Sequence, residues 1–286
     1  MISAFSPGHI TCFFRPVSSF DPLSAGSTGA GIRLELGTMA ELDESTSGIT
    51  SVEIDDSPSE GKIVRRVIDI LDPDGTYDVR IKHDLPVGQG FGTTAADAVA
   101  VALSICSIKK KNPSDGYRAA HIADLLEGGG RGDVAGIMCR CRQPVRKVAG
   151  IPPFGRVDES TAKIKTLTLV TLGEPLITKS ILSDKVLSAK IVKAGAKALE
   201  DYVVNMTTSS LFRISNIFSE ETGLRTPEID GAIDAIQDQG HMAAMCMLGN
   251  SIFTTAPLES VREILGNVWM VSCDATSEEA RVIHTE

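Results

Sequence analysis

The sequence predicts an α+β protein folded in two parts, and three observations carry that expectation. Strand-like alternation and helical spacing take turns along the whole chain, a mixture that layers helices on sheets. A Pro/Gly-rich stretch at 150–160 marks a natural boundary, dividing the chain into 1–158 and 159–286. The length of 286 residues suits one large domain or two modest ones, and 42% apolar content supplies a sizeable core.

Residues 2–14 read as a strand with a turn at Pro7-Gly8, and the glycine-rich 24–31 precedes a second strand at 32–36. A short strand follows at 49–54. Ile63, Val64, Val67, Ile68 and Leu71 have helical spacing, so 62–71 is a helix. Tyr77, Val79 and Ile81 alternate with polar neighbours in a strand that ends at Leu85. A helix at 94–107 is apolar nearly all round and should be buried, with Thr94-x-x-Asp97 resembling a capping box. Another helix at 116–126 stops at Gly128-Gly129-Gly130, 134–141 is short and ambiguous, and 145–148 is a strand. The second part holds strands at 164–172, 250–255 and 268–272. Its helices lie at 184–203, 209–221, 227–239 (capped by Thr226, opened by Pro227) and 258–265.

The formal net charge of −9 argues against a nucleic-acid or anionic-membrane surface. No run of 18 apolar residues suggests a membrane span, and the first residues lack the pattern of a signal peptide. The six cysteines lie mainly in apolar surroundings, and Cys139-x-Cys141 is not a usual zinc or redox spacing. Reduced thiols in a cytoplasmic protein are expected.

The most informative stretch is Pro86-Val-Gly-Gln-Gly-Phe-Gly-Thr-Thr-Ala-Ala96. Three glycines at every second position deliver the chain to a helix N-terminus, where free N–H groups and the macrodipole attract an anion such as a phosphate. A glycine-rich turn that merely connects two elements is the alternative. The spacing matches neither the P-loop nor the dinucleotide fingerprint. Thr93 and Thr94 either cap the helix or meet Mg²⁺ and phosphate. Asp133 follows a glycine run, so it is either a general base on a ligand-facing loop or the cap of the next helix. Asp124 lies near a helix C-terminus against the dipole, which suits a Mg²⁺ ligand or a solvated surface acid. Arg15, Arg33, Arg131, Arg140, Arg142 and Arg146 are candidates for a substrate carboxylate, most of them being ordinary surface residues. His9 either hydrogen-bonds an acceptor hydroxyl or steadies a turn. His121 reads as a partly buried helix residue, and Tyr117, Trp269 and the phenylalanines read as core. Met242, Met245 and Met247 form core or the edge of an adenine pocket.

The stretch 86–96 resembles the phosphate loop of the GHMP kinase superfamily. Within it, Ser6-Pro-Gly-His-Ile-Thr-Cys-Phe-Phe14 and Asp21-Pro-Leu-Ser-Ala-Gly-Ser-Thr-Gly-Ala-Gly31 resemble the signature of archaeal pantoate kinases. Gly129-Gly-Arg-Gly-Asp-Val134 and Met247-Leu-Gly-Asn-Ser251 resemble that family's later segments. The resemblance implies a two-domain α+β fold, with an S5-like N-terminal domain containing a left-handed βαβ unit and a ferredoxin-like C-terminal domain. It implies that Pro86, Gly88, Gln89, Gly90, Phe91, Gly92, Thr93 and Thr94 bind ATP. It further implies that Thr94 and Asp124 hold Mg²⁺ and that Asp133 is catalytic, with His9 beside it. His9, Arg15, Arg131 and Arg146 are the residues offered to the substrate, Arg146 for its place after the Asp133 segment. The family departs here in two threonines for two serines, in aspartate for glutamate at 124, and in a charged Asp97 near the loop. The expected reaction is ATP-dependent phosphorylation of pantoate in coenzyme A biosynthesis, in a cytoplasmic protein that forms homodimers. The alternatives are a sibling acting on a mevalonate-, shikimate- or homoserine-type hydroxy acid, and a catalytically silent ligand binder.

Overall fold

The computed structural model describes residues 1–127, 130–176 and 184–283. Two antiparallel strands, β1 (Ile2–Val17) and β2 (Gly26–Glu44), form its spine. Around them stand β3 (Ser51–Ile54), β4 (Ser57–Pro58), β5 (Tyr77–His83), β6 (Pro144–Val148), β7 (Arg156–Glu159) and β12 (Arg281–Ile283). The sheet runs β12-β1-β2-β5-β3-β4, with β6 joined to β2 and β7 to β6. β3 and β5 are parallel and are connected through α1 (Lys62–Leu71). The second sheet comprises β8 (Thr166–Thr171), β9 (Ala243–Met245), β10 (Ser251–Thr254) and β11 (Met270–Asp274). Its antiparallel order, β11-β8-β10-β9, is the ferredoxin-like one in which the first strand sits between the fourth and the third.

Helices cover the sheets. α1, α2 (Thr93–Ile108) and α3 (Pro113–Glu127) pack together on the first, followed by the short α4 (Asp133–Met138). α5 (Lys185–Val204), α6 (Thr208–Thr222), α7 (Pro227–Asp238) and α8 (Leu258–Leu265) belong to the second half. Buried Ile63, Val64, Val67, Ile68 and Leu71 are the stripe that the spacing of α1 predicts. α2 is buried along nearly its whole length, as its all-round apolar sequence requires. Thr226 accepts from the Ile229 amide and caps α7, with Pro227 at its first position. One apolar cluster joins the halves: Phe13 of β1 packs edge-on to Tyr202 of α5, and Phe14 to Phe218 of α6, both at 5.6 Å between ring centres. Such aromatic pairs add about 1 kcal/mol each beyond area burial. Among the described residues no helix is long and apolar enough to cross a membrane.

Several expectations are corrected. Pro7-Gly8 is not a turn: β1 runs through it, with register shifts between Pro7 and His9 and between Thr11 and Phe13. The glycine-rich 24–31 lies largely inside β2 and not before it, because that strand must pass directly over other main chain and the His9 ring. The ambiguous 134–141 contains α4. β7, β9 and β12 were not foreseen; each is four residues or fewer, too short to show a period. Trp269, Phe20 and Phe154 are not core: they are 38%, 107% and 47% exposed. Gly128 and Gly129, expected to stop α3, lie outside the described residues.

Candidate active site

The phosphate-loop candidate connects β5 to α2, and its backbone explains its composition. Gly88, Gly90 and Gly92 have φ of 74°, 76° and 69°, in the left-handed region that side chains rarely adopt. A Cβ on Gly90 would stand 2.9 Å from the Met247 carbonyl oxygen, so glycine is required there twice over. The loop is braced from several sides. The His9 amide donates to the Phe91 carbonyl, the Ser251 hydroxyl to the Gln89 carbonyl and the Leu176 amide to the Gly88 carbonyl. Gln89 turns its side chain away to the Gly173 carbonyl, and Phe91 is buried beside Trp269. Gly249, from the segment 247–251, presses on the Gln89 main chain.

α2 begins at Thr93 with Gly92 as its N-cap and no side-chain capping bond. Neither threonine caps the helix, and the capping box is not formed: Asp97 instead accepts from the Thr38 hydroxyl at 3.0 Å and pairs with His83 Nε2 at 2.8 Å. The first amides of α2 are therefore left without a side-chain partner, at the positive end of the helix dipole. They border an open cleft lined by Gly88, Gly90, Gly92, Thr93 and Thr94 on this side.

The opposite wall holds charge. Asp133 opens α4 without capping it, Gly132 being the cap residue. Its Oδ1 lies 2.6 Å from His9 Nδ1 and accepts from the Thr11 hydroxyl at 3.2 Å. The Arg146 guanidinium donates to His9 Nε2 at 3.4 Å and to Thr11 Oγ1 at 3.4 Å. A guanidinium only donates, so His9 Nε2 accepts and Nδ1–H donates to Asp133. Burial lowers the His9 pKa and outweighs the Asp133 charge, which keeps this neutral tautomer. For Asp133, burial alone would raise the carboxyl; the His9 hydrogen bond, the Arg146 charge and the Thr11 hydroxyl reverse this and hold it below the usual carboxylate value. Asp133 is thus an ionised acid lining the cleft. Two glycines make room for the arrangement, since a Cβ on Gly31 or Gly136 would stand 2.3 or 2.5 Å from His9 Nε2.

Asp124 of α3 is 1% exposed, and its Oδ1 has no hydrogen-bond partner. Burial, with the nearby Asp133 charge second, pushes its pKa well above the carboxylate value. Arg131 lines the cleft, while Arg146 lies under it, 1% exposed, with its Nε unpartnered.

Three comparisons bear on this geometry. The family model for the GHMP kinases N terminal domain matches residues 62–140, from α1 through the loop to α4. The pantoate kinase of Thermococcus kodakarensis is 32% identical over 265 residues, covering 88% of this chain and 87% of the relative. The chain belongs to the pantoate kinase family of the GHMP kinases. The pantoate kinase of Methanocaldococcus jannaschii is 27% identical, covering 91% of this chain and 95% of its own length. A solved structure described as a phosphotransferase related to the CoA biosynthesis pathway superposes with a TM-score of 0.88, at 29% identity and 98% coverage of both chains.

In this GHMP kinase the sequence-derived site residues fall into groups. The loop, Thr94, Asp133 and Arg131 converge on the cleft. His9 does not reach it: it is fully buried with both ring nitrogens engaged, and so it positions Asp133 instead of touching substrate. Arg15 is exposed on β1 and is not among the cleft-lining residues. Arg33, a wider candidate, is buried against the Cys141 and Glu278 carbonyls. His121 is structural, its Nε2 facing the Pro22 and Ala25 carbonyls at 3.1 and 3.0 Å. The sequence reading missed Thr11, Phe14, Ser27 and Leu248, which line the cleft. The signal for Thr11 was its place two residues after His9 on one strand, which puts both side chains on one face.

Proposed function

We propose that the protein transfers the γ-phosphoryl group of ATP to the 4-hydroxyl of (R)-pantoate, giving ADP and 4-phosphopantoate for coenzyme A biosynthesis. One observation carries this reading: an uncapped helix N-terminus behind a glycine loop faces an ionised Asp133 across a single cleft. Membership of the pantoate kinase family supports the choice of acceptor.

In this reading the loop of Gly88, Gln89, Gly90, Phe91, Gly92, Thr93 and Thr94 grips the triphosphate through main-chain amides, and Pro86, which has no N–H, shapes its entry. Thr93, 4% exposed, and Thr94 both line the cleft at the start of the helix, and Thr94 is the one offered to the metal. Asp133 accepts a hydrogen bond from the acceptor hydroxyl and aims its oxygen in line with the γ-phosphorus. A carboxylate held below its usual pKa is a weak base, which suits a loose transition state in which positioning matters more than early deprotonation. His9 and Thr11 hold Asp133 in that aim, leaving its Oδ2 free of the contacts that occupy Oδ1. Arg131 at the rim and Arg146 beneath it supply positive charge for the acceptor's carboxylate.

The unpartnered, buried carboxyl of Asp124 is suited to a cation, and Asp124 with Thr94 would hold Mg²⁺. When bound, the ion neutralises charge on the β- and γ-phosphates. The six cysteines are free thiols, in keeping with a cytoplasmic enzyme.

ADP release from Mg·ATP with a panel of hydroxy acids tests the reading. Turnover with pantoate is the expected result. Turnover only with mevalonate, shikimate or homoserine would move the protein to a sibling activity, and no turnover with any acid would contradict a kinase.

A further inference from the structure

Asp97 is a carboxylate 6% exposed, one turn inside the helix whose N-terminus receives the phosphates. Negative charge there opposes the triphosphate unless something neutralises it. His83 does so. It is the last residue of β5, and its Nε2 lies 2.8 Å from Asp97 Oδ1. Its Nδ1 lies 2.8 Å from Asp55 Oδ2, and its amide donates to Asp55 Oδ1 at 3.0 Å. An imidazole whose two nitrogens each face a carboxylate needs both N–H protons, so the ring is bound as an imidazolium. The ring is nearly inaccessible, its side chain being 3% exposed.

These two residues bracket the phosphate loop. His83 ends the strand that enters it, and Asp97 stands just after it leaves. Between them run three glycines in left-handed conformation, the segment with most backbone entropy to lose. The joint is anchored to the sheet as well. Thr38 of β2 donates to the same Asp97 oxygen, and the Gly37 amide donates to Asp84 Oδ2 at 3.0 Å.

We propose that the His83–Asp97 pair is a clamp across the two ends of the phosphate loop, which preorganises the loop for nucleotide and sets nucleotide affinity without entering phosphoryl transfer. The inference rests on the loop being the triphosphate site. Neither residue lines the cleft, so both are positioning residues.

The clamp has a pH signature. Burial by itself lowers the His83 imidazolium, but the hydrogen bonds and charges of Asp97, then Asp55, overturn this and bring it up to about 9. The groups facing it are Asp97 from α2 and Asp55 from the β3–β4 turn, with the Thr38 hydroxyl of β2 on Asp97; the neighbouring Lys82 is engaged by Asp56. Loss of the His83 proton leaves a single N–H to share between the Asp97 and Asp55 carboxylates and removes the positive charge that balances buried Asp97. The clamp is therefore weaker on the alkaline side.

The test measures KM for ATP, KM for pantoate, kcat and the Kd of Mg·ADP for the wild type and His83→Gln. Glutamine keeps a donor but not the charge. We expect KM for ATP and the Kd of Mg·ADP to rise about tenfold or more through lost preorganisation, with kcat and KM for pantoate little changed. In the wild type the Kd of Mg·ADP rises between pH 8 and 10, and in His83→Gln that rise is absent. Nucleotide affinity within twofold of wild type, or a loss carried by kcat alone, overturns the proposal. Should the variant fail to fold, a wild-type Kd that stays flat from pH 7 to 10 overturns it equally. A wild type that binds no nucleotide at all would instead overturn the reading of the loop.

Discussion

Across one cleft the chain sets two unlike walls against each other. The wall at the N-terminus of α2 consists of Gly88, Gly90, Gly92, Thr93, Thr94 and Ala95, none of them ionisable. The facing wall is built on His9, Asp133 and Arg146, all buried or nearly so, with Thr11 linking them. In the proposed reading the difference follows from the two tasks. A triphosphate carries its own charge and needs many donors at fixed spacing, which the backbone supplies without desolvating any protein charge. An acceptor hydroxyl is neutral and needs one oriented carboxylate, and a buried carboxylate persists as an anion only if donors and a cation surround it. The first wall should therefore be sensitive to backbone changes and the second to side-chain deletions.

The largest expected effect breaks the second wall. Asp133→Ala should lower kcat by about a hundredfold or more while circular dichroism shows an intact fold. A kcat near that of the wild type would remove Asp133 from the chemistry. Next comes a change that replaces no ionisable residue. Gly136→Ala drives a methyl into the His9 ring, so it should lower kcat by about tenfold with KM for ATP nearly kept. Gly90→Ala sharpens the contrast: its strained φ and the nearby Met247 carbonyl should raise KM for ATP more than they lower kcat. The reverse pattern in the two glycine variants would show that the walls are assigned the wrong way round. Thr94→Val conserves shape and removes one hydroxyl; a rise of about severalfold in KM for Mg·ATP is expected, with KM for pantoate unchanged.

The smallest effect is on stability. The folded-state pKa of His83 is raised above the unfolded value of about 6.5, to about 9. Its contribution is therefore complete below about pH 6.5 and is lost as pH rises through about 9. Melting temperature should fall across that window in the wild type and less in His83→Gln, as followed by thermal unfolding.

The two walls also differed in how far the sequence revealed them. The backbone wall is local: alternate glycines before a small-residue helix encode φ, turn and helix start within 86–96. The side-chain wall is assembled from residues 9, 11, 133 and 146, which come together only through the pairing of β1 with β2 and of β2 with β6 and the packing of α4 on β1. Resemblance named Asp133, but nothing in the spacing showed that His9 would be shut behind it by Gly31 and Gly136. Asp97 is the reverse case. Its capping pattern was correct as a local preference, yet a tertiary partner, His83, took the carboxylate instead. Amphipathic helices such as α1 and α8 are legible in the sequence from end to end, whereas β9 and β12 are held by neighbouring strands and carry no period of their own.

The central claim is that main-chain amides of the loop grip the triphosphate opposite Asp133. A crystal structure with Mg²⁺, a nonhydrolysable ATP analogue and pantoate tests it most directly. The account predicts the γ-phosphate over the first turn of α2, with the 4-hydroxyl of pantoate between it and the Asp133 carboxylate. A nucleotide bound elsewhere, with the cleft between Gly90 and Asp133 left empty, would contradict it.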